Sequence, residues 1–550
     1  MNIKEIIKSL LSIVGNRFTG VTPVDVSSDD ISTQADGCAL IHMTLGRSGL
    51  FVMLPYNLNI SLHVSNYPPE SFGFETRLNK FDQDKVYHLL GLLSSIPARN
   101  KDLIVEDGYI PLNASILNNY MTDYNSYLNY LIRTGVIERD REEEHVPDKS
   151  RRYRWTEQYI NSEFIKVEMP RFRRMNERER TITLEKFITQ KSKYQSYSER
   201  HLYLTHWYTT NKLNIDISQA ENHALEVRNI KLAKGVESWD WNKDKNQSKH
   251  PSNQYMAILE NMHSIAFNHD YKIQIDSHVH RLHSVLTNMQ KEFRNFLTYD
   301  SQQLVSIDIK NSQPYLSCIL FNPHFWEENS SLYLNINQLP ENIINSIRLT
   351  PPRSGAISIT SALNSFFRGL EEGEFDEYKE IVSSGNMYET IMKWVQQEKG
   401  QVIKRNDAKT TMFKLFFSPN RENSSDENHW LMAYYKNKFP KVAELFKIIK
   451  KRYLNLDERK QHGRLACLLQ SIESEIILHK CCKRIWEEKK HEVPLFTIHD
   501  SIATTIEHQD YVKRVMEEIL FQSIGIKPSL AIETWHTSNL YNITKLPVCI

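Results

Sequence analysis

The spacing of hydrophobic and polar positions changes several times along the chain, and these changes divide it into segments. Residues 1–80 mix short β-like apolar runs with Gly and Pro breaks, which indicates a small α/β module of unknown role. Residues 82–165 show helical spacing in DQDKVYHLLGLLSSI, in PLNASILNNYM and in DYNSYLNYLIR, and two strand-like runs, VIERD and RRYRWT, follow. Residues 166–275 are polar and mainly helical, with an exposed loop expected over 237–254.

Three helices followed by two strands around a charged loop are typical of a winged-helix domain, and we predict that fold for residues 82–165. The second strand carries Arg151, Arg152 and Arg154, which would suit contact with a duplex backbone. An ordinary helical domain with a solvated charged loop would give a similar pattern, so both interpretations stay open here.

Two strand-like apolar runs in the C-terminal half each lead into an aspartate. LVSID ends at Asp308, and FTIHDS places Asp500 between His499 and Ser501, almost two hundred residues later. Carboxylates side by side on neighbouring strands repel each other unless positive charge lies between them. Divalent Mg²⁺ prefers oxygen ligands, and two such ions can stabilise the attacking and leaving oxygens of phosphoryl transfer. The pair therefore predicts a metal site, with two unrelated strand-end aspartates as the alternative.

Further segments supply groups that suit a nucleotide and a nucleic acid. RNDAKTTMFKLFFS places Arg405, Lys409 and Phe413 four residues apart, on one helical face that could hold a triphosphate and stack a base. LLQSIESEIILHKCCKRIWEE predicts a strongly amphipathic helix shortly before the second aspartate. Other polar candidates precede one aspartate or the other: Arg281, Asn288, Gln290, Arg294 and Gln470.

Taken in order, these segments resemble the palm and fingers of the DNA polymerase I family (family A), which shares a right-hand fold with phage-type single-subunit RNA polymerases. SIDIKNSQPYL resembles the first palm motif, RNDAKTTMFKLFF the fingers helix and FTIHDSI the second palm motif. QSIESEIILHKCCKRI resembles the Gln-led palm helix, and RLHSVLTNMQ the segment before the palm. The resemblance covers roughly residues 275–510.

The resemblance implies a right-hand polymerase, a helix-rich α/β fold of the α+β type. The winged-helix-like domain predicted from the pattern of residues 82–165 would lie N-terminal to it. Palm and fingers would occupy residues 276–550, with the fingers at about 325–440, and residues 166–275 would be a thumb-like or connecting region. Asp308 and Asp500 would be catalytic and would bind two Mg²⁺ ions, for which Mn²⁺ could substitute, with the carbonyl of Ile309 as a further ligand. The implied nucleotide-binding side chains are Arg405, Lys409, Phe413 and either Gln313 or Tyr315. The implied nucleic-acid contacts are Arg281, Asn288, Gln290, Gln470 and His499.

The sequence departs from the family pattern in three of the motifs. The first motif reads Asp308-x3-Ser312-Gln313, two residues longer than usual, and the glutamate that normally excludes ribose is absent. Ser501 follows the second aspartate, as in the RNA polymerases, and Phe417-Ser418 stands where Tyr-Gly is usual. The choice between deoxyribonucleotides and ribonucleotides therefore stays open, with Phe413 and Gln313 favouring DNA synthesis.

Charge and composition limit the kinds of surface and cellular setting that are compatible with this prediction. Lys and Arg (68) balance Asp and Glu (67), so any surface that binds nucleic acid must be locally basic. The apolar runs are too short to span a bilayer, no signal peptide is evident, and the six cysteines form no CxxC pair. A reduced, cytoplasmic setting fits this composition. The resemblance implies that the cell is bacterial or phage-infected.

We therefore predict a template-directed DNA polymerase that acts on a template, a primer and nucleoside triphosphates, with no membrane partner. The N-terminal half lacks the acidic pattern of the family's proofreading nuclease, so no such activity is expected. One alternative is an RNA polymerase or primase on the same fold. The other is a DNA-binding replication initiator of a mobile element or phage, with an inactive palm.

Overall fold

A computed structural model describes the chain in segments that all lie within one compact unit, Leu45–Ile550. The described residues are 51–74, 81–99, 108–114, 117–118, 121, 123–140, 150–169, 201–242, 247–266, 271, 273–327, 334–348, 357–420, 429–451 and 463–540. The apolar run GCALIHMTL and the Arg- and Lys-rich segment after residue 170 lie outside them.

The first part of the described chain contains two small antiparallel sheets and three main helices. Its elements are β1 (Phe51–Pro55), α1 (Ile60–Asn66), α2 (Gln83–Arg99), β2 (Ile110–Leu112), α3 (Tyr124–Arg133), β3 (Ile137–Arg139), β4 (Arg151–Trp155), α4 (Glu157–Ile160) and β5 (Phe164–Glu168). The predicted strands β3 and β4 form, and β2 joins β4 to give the order β2-β4-β3. Strand β2 lies at the start of the segment predicted as a short helix, because Ile110 and Leu112 are buried in this sheet.

The second part is mainly helical, as the sequence predicted, and it contains α5 (Leu202–Thr209), β6 (Leu213–Ile215), α6 (Ile217–Lys234), β7 (Asp240–Asn242), β8 (Gln247–Lys249) and α7 (Pro251–Ala266). The segment expected to be an exposed loop is instead the β7–β8 hairpin followed by a buried helix. Asp240 anchors that hairpin, since it accepts hydrogen bonds from Lys231 Nζ (2.9 Å) and Gln254 Nε2 (2.7 Å).

The third part carries the largest sheet and most of the helices. It begins with β9 (Gln274–Ile275), β10 (Leu282–His283), α8 (Val285–Asn288), β11 (Leu297–Tyr299), β12 (Gln302–Ile309) and α9 (Ser312–Ser317). Helices follow as α10 (Glu341–Ile347), α11 (Ile359–Arg368), α12 (Asp376–Ser384), α13 (Met387–Lys399), α14 (Arg405–Phe417), α15 (His429–Lys438), α16 (Pro440–Ile449), α17 (Arg464–Ser474) and α18 (Lys483–Lys489). The chain returns to the sheet as β13 (Phe496–Ile498) and β14 (Ser501–Thr505), then α19 (Gln509–Ile524) and β15 (Leu530–Thr534).

Strand β12 is central to this six-stranded antiparallel sheet. The sheet follows the order β13-β14-β12-β11-β6, and β15 also pairs with β12. Val305 and Ile307 are fully buried, which agrees with the apolar run that predicted the strand. Helices α17 and α18 are joined by a π-helical segment, Glu475–Cys482, so the predicted amphipathic helix is one continuous element. Such π segments often occur near functional sites.

The domain division remains a prediction, and three contacts cross its boundaries. Strand β1 pairs with β5, which joins the first predicted module to the second. Helix α2 packs against α7, which joins the second predicted region to the third. Strand β6 pairs with β11, which joins the third region to the large sheet. Within the described ranges, no helix has the length and apolar character needed to cross a bilayer.

Gly385 fixes the junction between the helices and the large sheet. It ends α12 with φ +77°, a left-handed conformation that glycine adopts without steric cost. A Cβ atom there would lie 2.7 Å from Ser529 Oγ and 2.8 Å from Lys310 Cδ, next to the end of β12. Gly400, which ends α13 with φ +65°, has open space where its Cβ would be.

We expect Gly385→Ala to lower the free energy of unfolding by about 2–4 kcal/mol, because strain and collision add. Gly400→Ala is the matched control and should cost only about 1–2 kcal/mol, from the left-handed backbone alone. Urea unfolding of both variants measures the difference. Equal losses would show that the packing of Gly385 against Ser529 and Lys310 adds nothing.

Candidate active site

Asp308 and Asp500 lie side by side at one end of the large sheet. Asp308 is the last residue but one of β12 and pairs with Ser501 of β14. Asp500 directly precedes Ser501, in the two-residue turn that joins β13 to β14. The sequence placed both aspartates on strands, but Asp500 is in the turn because Ile498 and Ser501 already close the hairpin ladder. The fold thus makes neighbours of two carboxylates that are far apart in the chain.

The turn that carries Asp500 is strained at His499. This residue has φ +56°, in the left-handed region where a tight hairpin turn usually has glycine. A side chain in this conformation costs on the order of 1 kcal/mol, and such strain clusters at functional sites. The His499 ring lies 6.2 Å from that of His283, centroid to centroid. His499 therefore adjoins Asp500, while its predicted contact with nucleic acid stays a prediction.

Both aspartates are half-buried and resist ionisation. Burial raises the pKa of Asp308, the carboxylate of Glu533 adds to the rise, and the hydroxyls of Ser306 and Ser501 oppose it. Burial also raises the pKa of Asp500, and the negative charge of Asp308 raises it further. The pair is thus a site where negative charge is concentrated and where bound positive charge would be stabilised.

The donor set at this pair suits a hard divalent cation. Two carboxylates and the nearby Ile309 carbonyl are oxygen ligands of the kind that Mg²⁺ prefers. Among the described residues, no three His, Cys, Asp or Glu side chains are grouped as metal ligands. An ion held here would therefore need oxygens from a substrate or from water, as is usual for Mg²⁺.

Two cationic side chains, Lys291 and Arg294, lie near Asp308, and no role was predicted for Lys291. Ser306 Oγ donates a hydrogen bond of 3.0 Å to Asp308 Oδ2, and Glu533 of β15 pairs with Ser306. Lys291 Nζ lies 2.6 Å from Glu533 Oε2. Burial lowers the pKa of Arg294, while the charges of Asp308 and Glu533 oppose that shift. Lys291 and Arg294 thus partly balance the acidic groups around β12.

Helix α14 presents the predicted nucleotide-binding residues on one accessible face. Arg405 and Lys409 are exposed, while Phe413 and Phe417 are half-exposed. Lys409 Nζ is 5.5 Å from the centre of the Phe413 ring, and the rings of Phe413 and Phe417 are 5.7 Å apart. Four-residue spacing on a regular helix produces this stripe, as the sequence predicted.

Tyr388 of α13 links this helix to the aspartates. Burial raises the pKa of Tyr388 to about 12, and the charges of Glu389 and Asp500 act in the same direction. The Arg405 guanidinium lies over the Tyr388 ring, 5.1 Å from its centre. Arg405 Nε also donates a hydrogen bond of 2.6 Å to Glu389 Oε1. Tyr388 and Glu389 are therefore part of the candidate site, although no sequence pattern pointed to either residue.

Gln313 and Tyr315, the two alternatives for the sugar contact, occupy different environments. Gln313 Nε2 donates to Glu473 Oε2 at 2.9 Å, and the charge of Asp500 reaches that glutamate. Tyr315 is fully buried, and its hydroxyl donates to the Ile526 carbonyl at 2.8 Å. Gln313 is thus the alternative that lies at the site. Its Oε1, like both polar atoms of the Asn311 side chain, is buried without a described hydrogen-bond partner.

Arg281 is held by Glu473, a residue that the sequence analysis missed. Arg281 Nη2 lies 2.6 Å from Glu473 Oε1, and Nε donates to the same oxygen at 2.9 Å. Burial raises the pKa of Glu473 to about 8, Asp500 adds to the rise, and Arg281 and Gln313 oppose it. The only signal was an acidic residue on the buried side of a predicted amphipathic helix. Arg281 is therefore engaged within the protein, where the sequence predicted a contact with nucleic acid.

The remaining predicted contacts lie in other surroundings. Asn288 and Gln290 line a cavity of about 380 Å³, together with residues of α7 and of the β7–β8 hairpin. Gln470 is half-buried on α17.

Two arginines of β4 are also paired with acidic residues at or just after the end of the neighbouring strand β3. Arg154 Nε lies 2.6 Å from Glu138 Oε1, and its guanidinium lies over the Tyr109 ring, 4.4 Å from the centre. Arg152 pairs with Asp140. Arg151 is exposed. The contact of these side chains with DNA stays a prediction.

No protein-family model and no curated protein matches the chain. Among solved structures, it is similar to the POL domain of Pol1 from M. smegmatis in complex with DNA primer-template and dNTP. The TM-score is 0.29 and the sequence identity 11%, over 62% of this chain and 70% of that chain.

Asp276 organises the turn that carries Arg281. Its Oδ1 accepts from the backbone N–H groups of His278 (2.9 Å) and Val279 (2.8 Å), and its Oδ2 accepts from that of Arg281 (2.9 Å). Burial alone would raise the pKa of Asp276, but His283 and these N–H groups outweigh it and hold the pKa far below its usual range. A depressed pKa stabilises the fold above the unfolded-state pKa near 3.9, and this contribution disappears as pH falls through the folded-state value.

We expect Asp276→Asn to lower the free energy of unfolding by about 1–3 kcal/mol at pH 7, because bonds to a charged acceptor are lost. The difference in free energy of unfolding between variant and wild type should become smaller once the pH falls below about 4. Denaturant titrations from pH 7 to pH 3 measure it. A gap independent of pH would mean that the charge of Asp276 is not what stabilises the turn.

The aspartate pair should cost stability when no metal is bound. A raised folded-state pKa contributes stability below the unfolded-state value near 3.9, and that contribution is lost as pH rises through the folded-state value. Asp308→Asn and Asp500→Asn should therefore each raise the free energy of unfolding by about 1 kcal/mol at pH 7 in EDTA. The gain should disappear below pH 4. Denaturant unfolding at both pH values tests this, and destabilisation by both variants at pH 7 would contradict it.

Proposed function

We propose that the chain is a template-directed nucleotidyl transferase, a DNA polymerase of the family A type without a proofreading nuclease. The observation that carries the proposal is the meeting of Asp308 and Asp500 at one end of a central antiparallel sheet. Two like charges in a half-buried position lower the stability of the fold. Metal-dependent phosphoryl transfer would account for the presence of both carboxylates.

The position of helix α14 supports the same function. It presents Arg405, Lys409 and Phe413 on one accessible face, and Tyr388 links Arg405 to the surroundings of Asp500. The two cations would bind the phosphates of an incoming nucleotide, and Phe413 would pack against its sugar and base. Gln313, at the edge of the pair, would lie near the sugar.

In this proposal the side chains position charge and substrate. Asp308 and Asp500 would hold divalent metal ions, with Mg²⁺ as the natural choice and Mn²⁺ as a substitute. Ions bound there would neutralise charge on the attacking 3′-hydroxyl and on the pyrophosphate that leaves. Ser306 fixes the orientation of the Asp308 carboxylate through its 3.0 Å hydrogen bond. His499 adjoins Asp500 and would approach the primer end.

We further propose that residues 82–165 form a winged helix. The order α2, β2, α3, β3, β4, with β2 added to the two-stranded wing, supports that fold. Such a domain would dock the polymerase on duplex DNA, for example at a replication origin. The pairing of Arg152 and Arg154 with acidic neighbours leaves the exposed Arg151 as the strongest candidate for a phosphate contact.

Primer extension with Mg²⁺ tests the proposed activity. The wild type should extend a DNA primer on a DNA template, and Asp308→Asn and Asp500→Asn should each reduce the rate by at least about a thousandfold, because the metal ligands are lost. Both variants should retain binding to the primer-template, measured by fluorescence anisotropy. Asp510→Asn, which alters an exposed aspartate at the start of α19, is the control and should keep full activity.

Comparison of nucleotides separates the alternatives. Preference for deoxyribonucleotides supports a DNA polymerase, whereas preference for ribonucleotides, or synthesis without a primer, identifies an RNA polymerase or primase. Absence of incorporation on every template, with DNA binding intact, would overturn the proposed activity in favour of a replication initiator with an inactive palm.

A further inference from the structure

Arg405 is the predicted phosphate-binding residue nearest the start of α14, and its guanidinium is held on two sides. The Tyr388 ring lies against its face, with 5.1 Å between the guanidinium carbon and the ring centre. Glu389 Oε1 accepts a hydrogen bond of 2.6 Å from Nε. Both holding residues come from the first turn of α13, so a single helix end fixes the plane and the orientation of the guanidinium.

The remaining edge of Arg405 is available. Neither terminal nitrogen, Nη1 or Nη2, hydrogen-bonds to any described residue, and the side chain is 55% exposed. These two nitrogens form the fork that binds two phosphate oxygens at once. A long arginine side chain normally loses rotamer freedom when it binds, and one that is already fixed avoids that loss.

Glu389 is suited to orient Arg405 without blocking it. It meets Arg405 through one oxygen, and its Oε2 is buried without a described partner. The bond from Arg405 and the nearby charge of Lys310 outweigh burial and lower the pKa of Glu389, so the carboxylate is ionised at neutral pH. Lys310 directly follows β12, so the charge that acts on Glu389 comes from the end of the strand that carries Asp308.

We propose that Glu389 and Tyr388 are positioning residues that fix the Arg405 guanidinium for the phosphates of an incoming nucleoside triphosphate. The inference rests on the proposed function and adds to it the residues that pre-arrange the phosphate site. Their effect is on binding: they hold Nη1 and Nη2 ready for phosphate oxygens and do not touch the reacting atoms.

Titration of full-length wild type, Glu389→Ala and Glu389→Gln with inorganic tripolyphosphate, and separately with a deoxynucleoside triphosphate, tests the proposal. Glu389→Ala should weaken both ligands by about two- to tenfold, the cost of fixing one flexible side chain. Glu389→Gln should bind close to wild type, because the amide oxygen still accepts from Nε. In primer extension, Glu389→Ala should raise KM by the same factor with kcat nearly unchanged.

A second glutamate of α13 provides the matched control. Glu398 is 42% exposed against 40% for Glu389, and it forms an equivalent 2.6 Å ion pair with Lys438 at the far end of the helix. Glu398→Ala should leave ligand binding and KM unchanged. Arg405→Gln should weaken binding more than Glu389→Ala does, since it removes the group that Glu389 positions.

The outcomes separate this inference from the proposed function. Tighter binding by both Glu389 variants would show that the carboxylate competes with phosphate, and unchanged binding would show that it does nothing; either result overturns the inference. A loss in Glu389→Gln equal to that in Glu389→Ala would overturn it too. If wild type binds tripolyphosphate with the expected dependence on Glu389 but incorporates no nucleotide, the positioning role stands and the proposed polymerase activity fails.

Discussion

The repulsion between Asp308 and Asp500 is the constraint around which the C-terminal half of this protein is arranged. Strand pairing between β12 and β14 forces the two carboxylates together, and burial raises the pKa of both. Positive groups lie nearby, but they are mostly engaged elsewhere: Lys291 pairs with Glu533, and Arg281 pairs with Glu473. The pair is therefore left with a deficit of positive charge, which is the condition that favours binding of divalent cations.

The groups around the pair differ in how freely they can meet a ligand. Arg281 and Gln313 bond to the buried Glu473 in a network whose hydrogen bonds are internal, so its main effect is to support the residues beside Asp500. Arg405 and Lys409 lie on an exposed helix face. Toward the described residues, Nη1 and Nη2 of Arg405 make no hydrogen bond. A negatively charged ligand could therefore contact the exposed cations of α14 without breaking the internal hydrogen bonds near the sheet.

The spacing of hydrophobic and polar residues predicted the structure correctly in segments whose structure depends on that local spacing. The strand at LVSID, the helix that begins at Arg405 and the paired strands β3 and β4 all follow from periodicity. The prediction was wrong where packing between distant segments determines the local structure. The segment 237–254 has the polarity of a loop, yet Asp240 and its partners Lys231 and Gln254 hold it as a hairpin and helix start. Glu473 was missed because an acidic residue on a helix is ordinary until its burial is known.

The sequence by itself determined several of the elements and the chemistry they carry: two aspartates that follow strand-like apolar runs, a helix with cations and aromatics on one face, and polar segments that precede the aspartates. These features depend on residue spacing alone. Only the tertiary structure decided that Asp500 lies in a turn, that Gln313 rather than Tyr315 reaches the site, and that Glu389 and Tyr388 hold Arg405. The physical reason is that burial, charge pairing and hydrogen bonding join residues through space, and their order along the chain does not encode which of them will meet.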